Sequence, residues 1–168
     1  MSFILPIIAF LLVLAIDQFT KYIVFTNMEL GQTVTFIDGL LDFTYIHNDG
    51  GAWGMFGGYR TGLLVTTSVM MLIILILIIK NGRKSKLFLW AGSLIISGGI
   101  GNMIDRIFRD GNVIDFLEVK FIDFPIFNIA DCGVCIGAGL LILYFIIDMI
   151  KENKEKAIRE SLPEDAKE

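Results

Sequence analysis

Four apolar runs long enough to cross a lipid bilayer constrain this chain more than any other feature. A helix rises 1.5 Å per residue, so roughly 20 residues cross a hydrocarbon core of about 30 Å. Residues 61–79 and 87–104 contain no charged side chain and are the secure pair. The first run, 3–16, reaches spanning length only by continuing through Asp17 and Lys21 to about residue 25. The fourth, 129–150, includes Asp131 and Asp148. With 55% hydrophobic and 19% charged residues and a mean hydropathy of +0.71, neither an ordinary soluble domain nor a disordered chain fits. The expectation is an all-α membrane protein, with four transmembrane helices at about 3–25, 61–79, 87–106 and 129–150 and a small extracytoplasmic β-sheet or loop platform. Its 168 residues leave room for one domain.

Charge placement orients the spans. The short connection 80–86 carries Lys80, Arg83, Lys84 and Lys86 with no acid, and short basic connections stay in the cytoplasm. Lys151, Lys154, Lys156 and Arg159 mark the segment after the fourth span the same way. Both termini are therefore expected inside, with 26–60 and 107–128 outside and 151–168 as a cytoplasmic tail whose last dozen residues are solvated and frayed. The start has no basic n-region and no A-x-A-like site before Asp17, so the first span reads as an uncleaved anchor. In the first outer segment, stretches 33–37 and 41–47 flank Asp38-Gly39, the pattern of a small hairpin. Tyr22, Tyr45, Trp53 and Tyr59 are expected at the headgroup level, where amphipathic rings collect.

On this topology, residues distant in sequence converge near the outer interface. The first span brings Asp17 and Lys21, the third Asn102, Asp105 and Arg106, and the fourth Asn128 and Asp131, while the second outer segment adds Asp115. Carboxylates beside a bilayer are expensive to ionise and are functional candidates by default. Two of them held together share one proton, so that one can activate water while the other polarises a carbonyl, the logic of an aspartic peptidase. No other complete catalytic set is present. There is no G-x-S-x-G elbow and no H-E-x-x-H, and the only histidine, His47, has no partnered serine. A net charge of −4 argues against nucleic acid as a partner.

Each candidate also has a plain structural reading. Asn128-x-x-Asp131 has the spacing of a helix N-cap followed by an acid at the third position. Asp115 sits inside the apolar stretch 113–117, where an alternating strand would turn it out to the surface. Asp17 and Lys21, four apart, can be a self-paired ion pair within a span, and Asp105-Arg106 an interfacial anchor. Cys132-Gly133-Val134-Cys135 has C-x-x-C spacing without a βαβ context, which leaves redox or metal use unsupported. Ser93, Ser97 and Gly101, with Gly133 and Gly137, recur every fourth residue and read as close helix packing.

Five blocks now stand in order: DQFTK (17–21), NDGGAWG (48–54), GGIGNMIDR (98–106), VIDF (113–116) and FNIAD (127–131). In these blocks, on a four-span frame, the chain resembles the lipoprotein signal peptidase, or signal peptidase II, family. The resemblance implies that Asp115 and Asp131 are the catalytic aspartates of an intramembrane endopeptidase. It also implies that Asn48, Asn102, Arg106 and Asn128 bind substrate, and that Asp17, Lys21, Gly50 and Asp105 support the site. Substrates implied are prolipoproteins carrying diacylglycerol on a cysteine, cut just before that cysteine in the bacterial cell membrane, near its outer face. Membrane lipids are implied as surroundings, with no metal, cofactor or nucleic acid, and function as a monomer is expected. The outer segment 26–60 is expected to act as platform and lid, its glycines around Asn48 allowing movement. Gly51, where the family commonly has alanine, and Cys132, where it has serine or alanine, are departures. The alternative from another class is a small ion or proton transporter or channel subunit with membrane-embedded carboxylates; a third is a non-catalytic scaffold.

Overall fold

The computed structural model describes residues 3–50, 60–82 and 85–161. Four helices, α1 (Ile4–Asn27), α2 (Arg60–Asn81), α3 (Lys86–Phe108) and α4 (Ile129–Ser161), are each long and apolar enough to span a membrane. Three strands, β1 (Thr33–Ile37), β2 (Leu41–Asn48) and β3 (Val113–Val119), form an antiparallel sheet in the order β1-β2-β3. The architecture is thus the expected one, mostly helical with a small sheet.

The distribution of side chains is that of a protein dissolved in lipid. Large apolar residues such as Ile7, Leu11, Val65, Leu72, Ile142 and Ile146 are exposed, while Asp17, Lys21, Asp105, Asp115 and Asn128 are fully buried. Lipid offers apolar groups nothing to escape from, and it drives charges inward. Helix α3 is central, packing against α1, α2 and α4. Small residues let it come close: a Cβ at Gly137 would fall 2.7 Å from the Ala91 carbonyl oxygen, and one at Gly101 would fall 2.6 Å from Asp17 Oδ2. The Ser97 hydroxyl, also on this face, donates to the Phe10 carbonyl at 2.8 Å. The every-fourth-residue pattern therefore works as packing. Ser85 caps α3, its hydroxyl accepting from the Phe88 N–H.

Strands β1 and β2 are joined by a turn in which the Leu40 N–H reaches the Ile37 carbonyl at 3.0 Å, with Gly39 at φ +67°. Glycine alone takes that conformation without strain, which is why Asp38-Gly39 marks the turn. The sheet docks on the C-terminal end of α1 through Val24, Tyr45, Ile114 and Phe116. Tyr45 is therefore buried in this core, where its ring packs against protein; its hydroxyl pairs with His47 Nε2 at 2.8 Å. Tyr22 is exposed, whereas Trp53 and Tyr59, with the rest of 51–59 in the segment expected to act as platform and lid, lie outside the described residues. Helix α4 also differs from expectation. It continues well past residue 150, because its Lys, Glu and Ala are good helix formers and Lys151 faces Glu155 one turn on. At 33 residues it is about 50 Å long, and residues 162–168 lie outside the described residues.

Candidate active site

The functional candidates gather at one end of the bundle, formed by the C-terminal ends of α1 and α3, the start of α4 and strand β3. Asn128 is the joint between the two acids. Its backbone N–H donates to Asp131 Oδ2 at 3.1 Å and its Oδ1 accepts from the Asp131 N–H at 3.0 Å, so the expected capping box forms. Its amide nitrogen is then left to donate to Asp115 Oδ1, and also faces Asn102 Oδ1 at 3.0 Å. Capping and site-building are one geometry: the cap fixes which way the amide points.

The other partners complete each carboxyl. Asp115 Oδ2 accepts from Asn48 Nδ2 at 2.7 Å, and the Gly50 N–H holds Asn48 Oδ1 at 3.0 Å. Asp131 Oδ1 accepts from Asn102 Nδ2 at 2.7 Å. Asn102 is oriented in turn by Lys21, whose ammonium donates to Asn102 Oδ1 at 2.9 Å and pairs with Asp17 Oδ2 at 3.0 Å and Asp105 Oδ2 at 2.9 Å. Lys21 is an ammonium with three donors, and these three acceptors use all of them. The ion pair foreseen between Asp17 and Lys21 is real, but it is a triad with Asp105 and not self-contained. Asp17 Oδ1 accepts the Ala130 N–H at 2.8 Å, and Asp105 takes the Ile114 N–H at 3.3 Å, so the triad ties α1, α3, β3 and α4 together.

Asp115 lies on a strand, yet it is only 1% exposed. The surface reading fails because residues 113–116, whose side chains point alternately to the two faces of β3, are all buried, and β3 packs against α1 and α3. Burial, and next the charge of Asp131, pushes the Asp115 carboxyl up to about 7. The Nε of Arg106 is buried without a hydrogen-bond partner among the described residues, while its Nη1 donates to the Asn102 carbonyl at 3.4 Å. A cavity of about 410 Å³ opens beside these groups, lined by Asn48, Asn102, Arg106, Asp115 and Asp131 on the polar side. Among the described residues, no group of three His, Cys, Asp or Glu is arranged to hold a metal ion.

All six predicted catalytic and binding positions meet here except that Asn128 stands just behind the cavity wall, and Asp17, Lys21, Asp105 and Gly50 form the layer behind. Sequence reasoning missed the apolar wall: Phe124, Pro125, Ile126 and Phe127, with Cys132 and Cys135. The signal was a proline inside an apolar tetrad directly before a helix cap, which reads equally as ordinary loop packing.

A family model described as signal peptidase (SPase) II matches residues 9–147. A lipoprotein signal peptidase of Halalkalibacterium halodurans is 38% identical over 148 residues, 87% of this chain and 94% of that one. One of Enterococcus faecalis is 38% identical over 149 residues, 89% and 88% of the two chains. A solved bacterial membrane enzyme, determined in meso at 2.3 Å resolution, superposes with a TM-score of 0.82 at 35% identity, covering 86% of this chain and 88% of that one. With the four apolar helices, these matches make it a multi-pass membrane protein. The chain belongs to the signal peptidase II family of peptidases.

Proposed function

We propose that the chain is an aspartic lipoprotein signal peptidase, with Asp115 and Asp131 as its catalytic pair. The observation that carries this is the junction at Asn128: one residue donates to both carboxyls, and both line one cavity. Asp115, pushed up to about 7, holds the shared proton near neutrality, and Asp131 acts as the base toward water. Water attacks the scissile carbonyl, whose oxygen takes the proton of Asp115; collapse of the tetrahedral intermediate returns a proton to the leaving amine. The pair titrates jointly, so its pH behaviour belongs to both residues. Arg106, whose Nε has no hydrogen-bond partner among the described residues, and the second N–H of the Asn48 amide stand in the cavity wall as donors toward substrate carbonyls or the developing oxyanion.

The names of the relatives support a prolipoprotein substrate; in this reading it is diacylglyceryl-modified and cut just before the modified cysteine. A substrate anchored by acyl chains presents its peptide near the interface, and the cavity has an apolar wall for it. On the Lys/Arg distribution, both termini face the cytoplasm and the cavity lies near the outer face of the bacterial cell membrane. The chain then works as one peptidase domain and as a monomer, in contact with membrane lipids.

The test is cleavage of a lipidated peptide by the purified protein in detergent, beside ion flux in vesicles. Cleavage just before the lipidated cysteine by the wild type, and none by Asp115→Asn or Asp131→Asn, is expected. Full turnover by either variant, or flux without cleavage, overturns the assignment.

A further inference from the structure

We propose that Cys132 and Cys135 form a covalent modification site in the wall of the cavity, taking small apolar electrophiles of the α,β-unsaturated carbonyl class. Both thiols are free, Cys132 half-buried and Cys135 exposed, and both line the cavity that Asp131 and Asp115 line. Their placement follows from α4. Residues three and four apart share a helix face, so Cys135 stands one turn below both Asp131 and Cys132 and all three look into the same space. At three residues' separation the two Cα atoms are about 5 Å apart, close enough for one adduct to crowd both positions.

The cavity, at about 410 Å³, is within the range of small-molecule sites of roughly 300–1,000 Å³, and opposite the polar side described above its wall is apolar: Val113, Phe124, Pro125, Ile126 and Phe127. An apolar reagent concentrates in the surrounding lipid or detergent and enters past the exposed Cys135. There the thiol sulfur adds to one alkene carbon. The C–S bond forms as the π pair moves to the neighbouring carbon, which takes up the proton released by the thiol. No oxidant or metal is consumed. The adduct then occupies space beside Asp131. That it blocks turnover rests on the peptidase reading above; that it forms does not.

The experiment treats the full-length protein in detergent with N-ethylmaleimide and follows labelling by peptide mass mapping and cleavage on the same samples. Cys135 labels first and Cys132 more slowly, and the residual cleavage rate equals the unlabelled fraction. A lipidated peptide slows labelling of the cleavage-deficient Asp115→Asn protein, a readout independent of turnover. The Cys132→Ala/Cys135→Ala protein, whatever its own rate, shows the same rate with and without reagent. Labelling seen only after denaturation, or complete labelling with undiminished cleavage, overturns the proposal. A protein that labels, with protection by the lipidated peptide, yet cleaves no lipidated substrate even untreated keeps the thiol site and loses the peptidase reading.

Discussion

Replacing Asp115 by asparagine should stabilise the protein at alkaline pH while abolishing cleavage, and the size of the effect follows from the geometry. The Asp115 carboxyl is 1% exposed and is pushed from its ordinary 3.8 up to about 7, first by burial and then by Asp131. The folded chain therefore holds this proton more tightly than the unfolded chain does. Its contribution to stability is fully present below pH 3.8 and is lost as pH rises through about 7. A displacement of that size corresponds to about 4 kcal/mol across the window. The asparagine variant has no such ionisation, so its stability stays level where the wild type declines. It does lose an acceptor: Asn48 and Asn128 donate to separate oxygens of this side chain, and an amide offers one oxygen where the carboxyl group offers two in either protonation state. One buried donor left unpaired costs about 1–3 kcal/mol at any pH. The two curves should therefore cross. The variant is less stable near pH 4.5 and more stable by about 1–3 kcal/mol at pH 8, or about 2–12 °C at roughly 2–4 °C per kcal/mol. Thermal unfolding in detergent at the two pH values reads this directly, and carboxylates remote from Asp115, unlike its partner Asp131, cancel between the two proteins. Parallel curves from pH 4.5 to 8 would refute the reasoning.

The triad behind the site gives the next expectation. Lys21→Met removes the cation that neutralises Asp17 and Asp105, and stranding buried charge costs about 3–5 kcal/mol; an unchanged melting temperature would sink it. Adding Asp17→Asn and Asp105→Asn to that variant should recover much of the stability, since the cost lies in the unpaired charge. Asn128→Ala removes the cap and the donor to Asp115 together, so it should lose both about 1 kcal/mol of stability and most cleavage; a variant that merely melts earlier while turning over normally would make Asn128 a cap alone. Chelator should leave cleavage intact, and inhibition reversed by added zinc would point to a metallopeptidase instead.

The four spans were legible because lipid imposes a length and a polarity that composition alone records. So was the hairpin, since a glycine with positive φ has few other uses in such a segment. The capping box was equally readable, being a matter of spacing along one helix. The burial of Tyr45 was not legible, because an amphipathic ring reads the same at an interface and in a small core. Asp115 was the hardest residue: alternation along a strand cannot tell that both of its faces are covered.

What the amino-acid sequence determined by itself is the one-dimensional part: span lengths, turn positions, the cap, and the set of polar residues that hydrocarbon forces inward. Which carboxyl partners which donor was decided only in three dimensions. Lys21 is shared among two acids and an amide from α1 and α3, and Asn128 turns its amide to Asp115 because its oxygen is already taken by α4. The reason is that a hydrogen-bonding group has fixed valence and direction. Once packing has filled some of its directions, the remaining one is settled by neighbours that no local spacing can name.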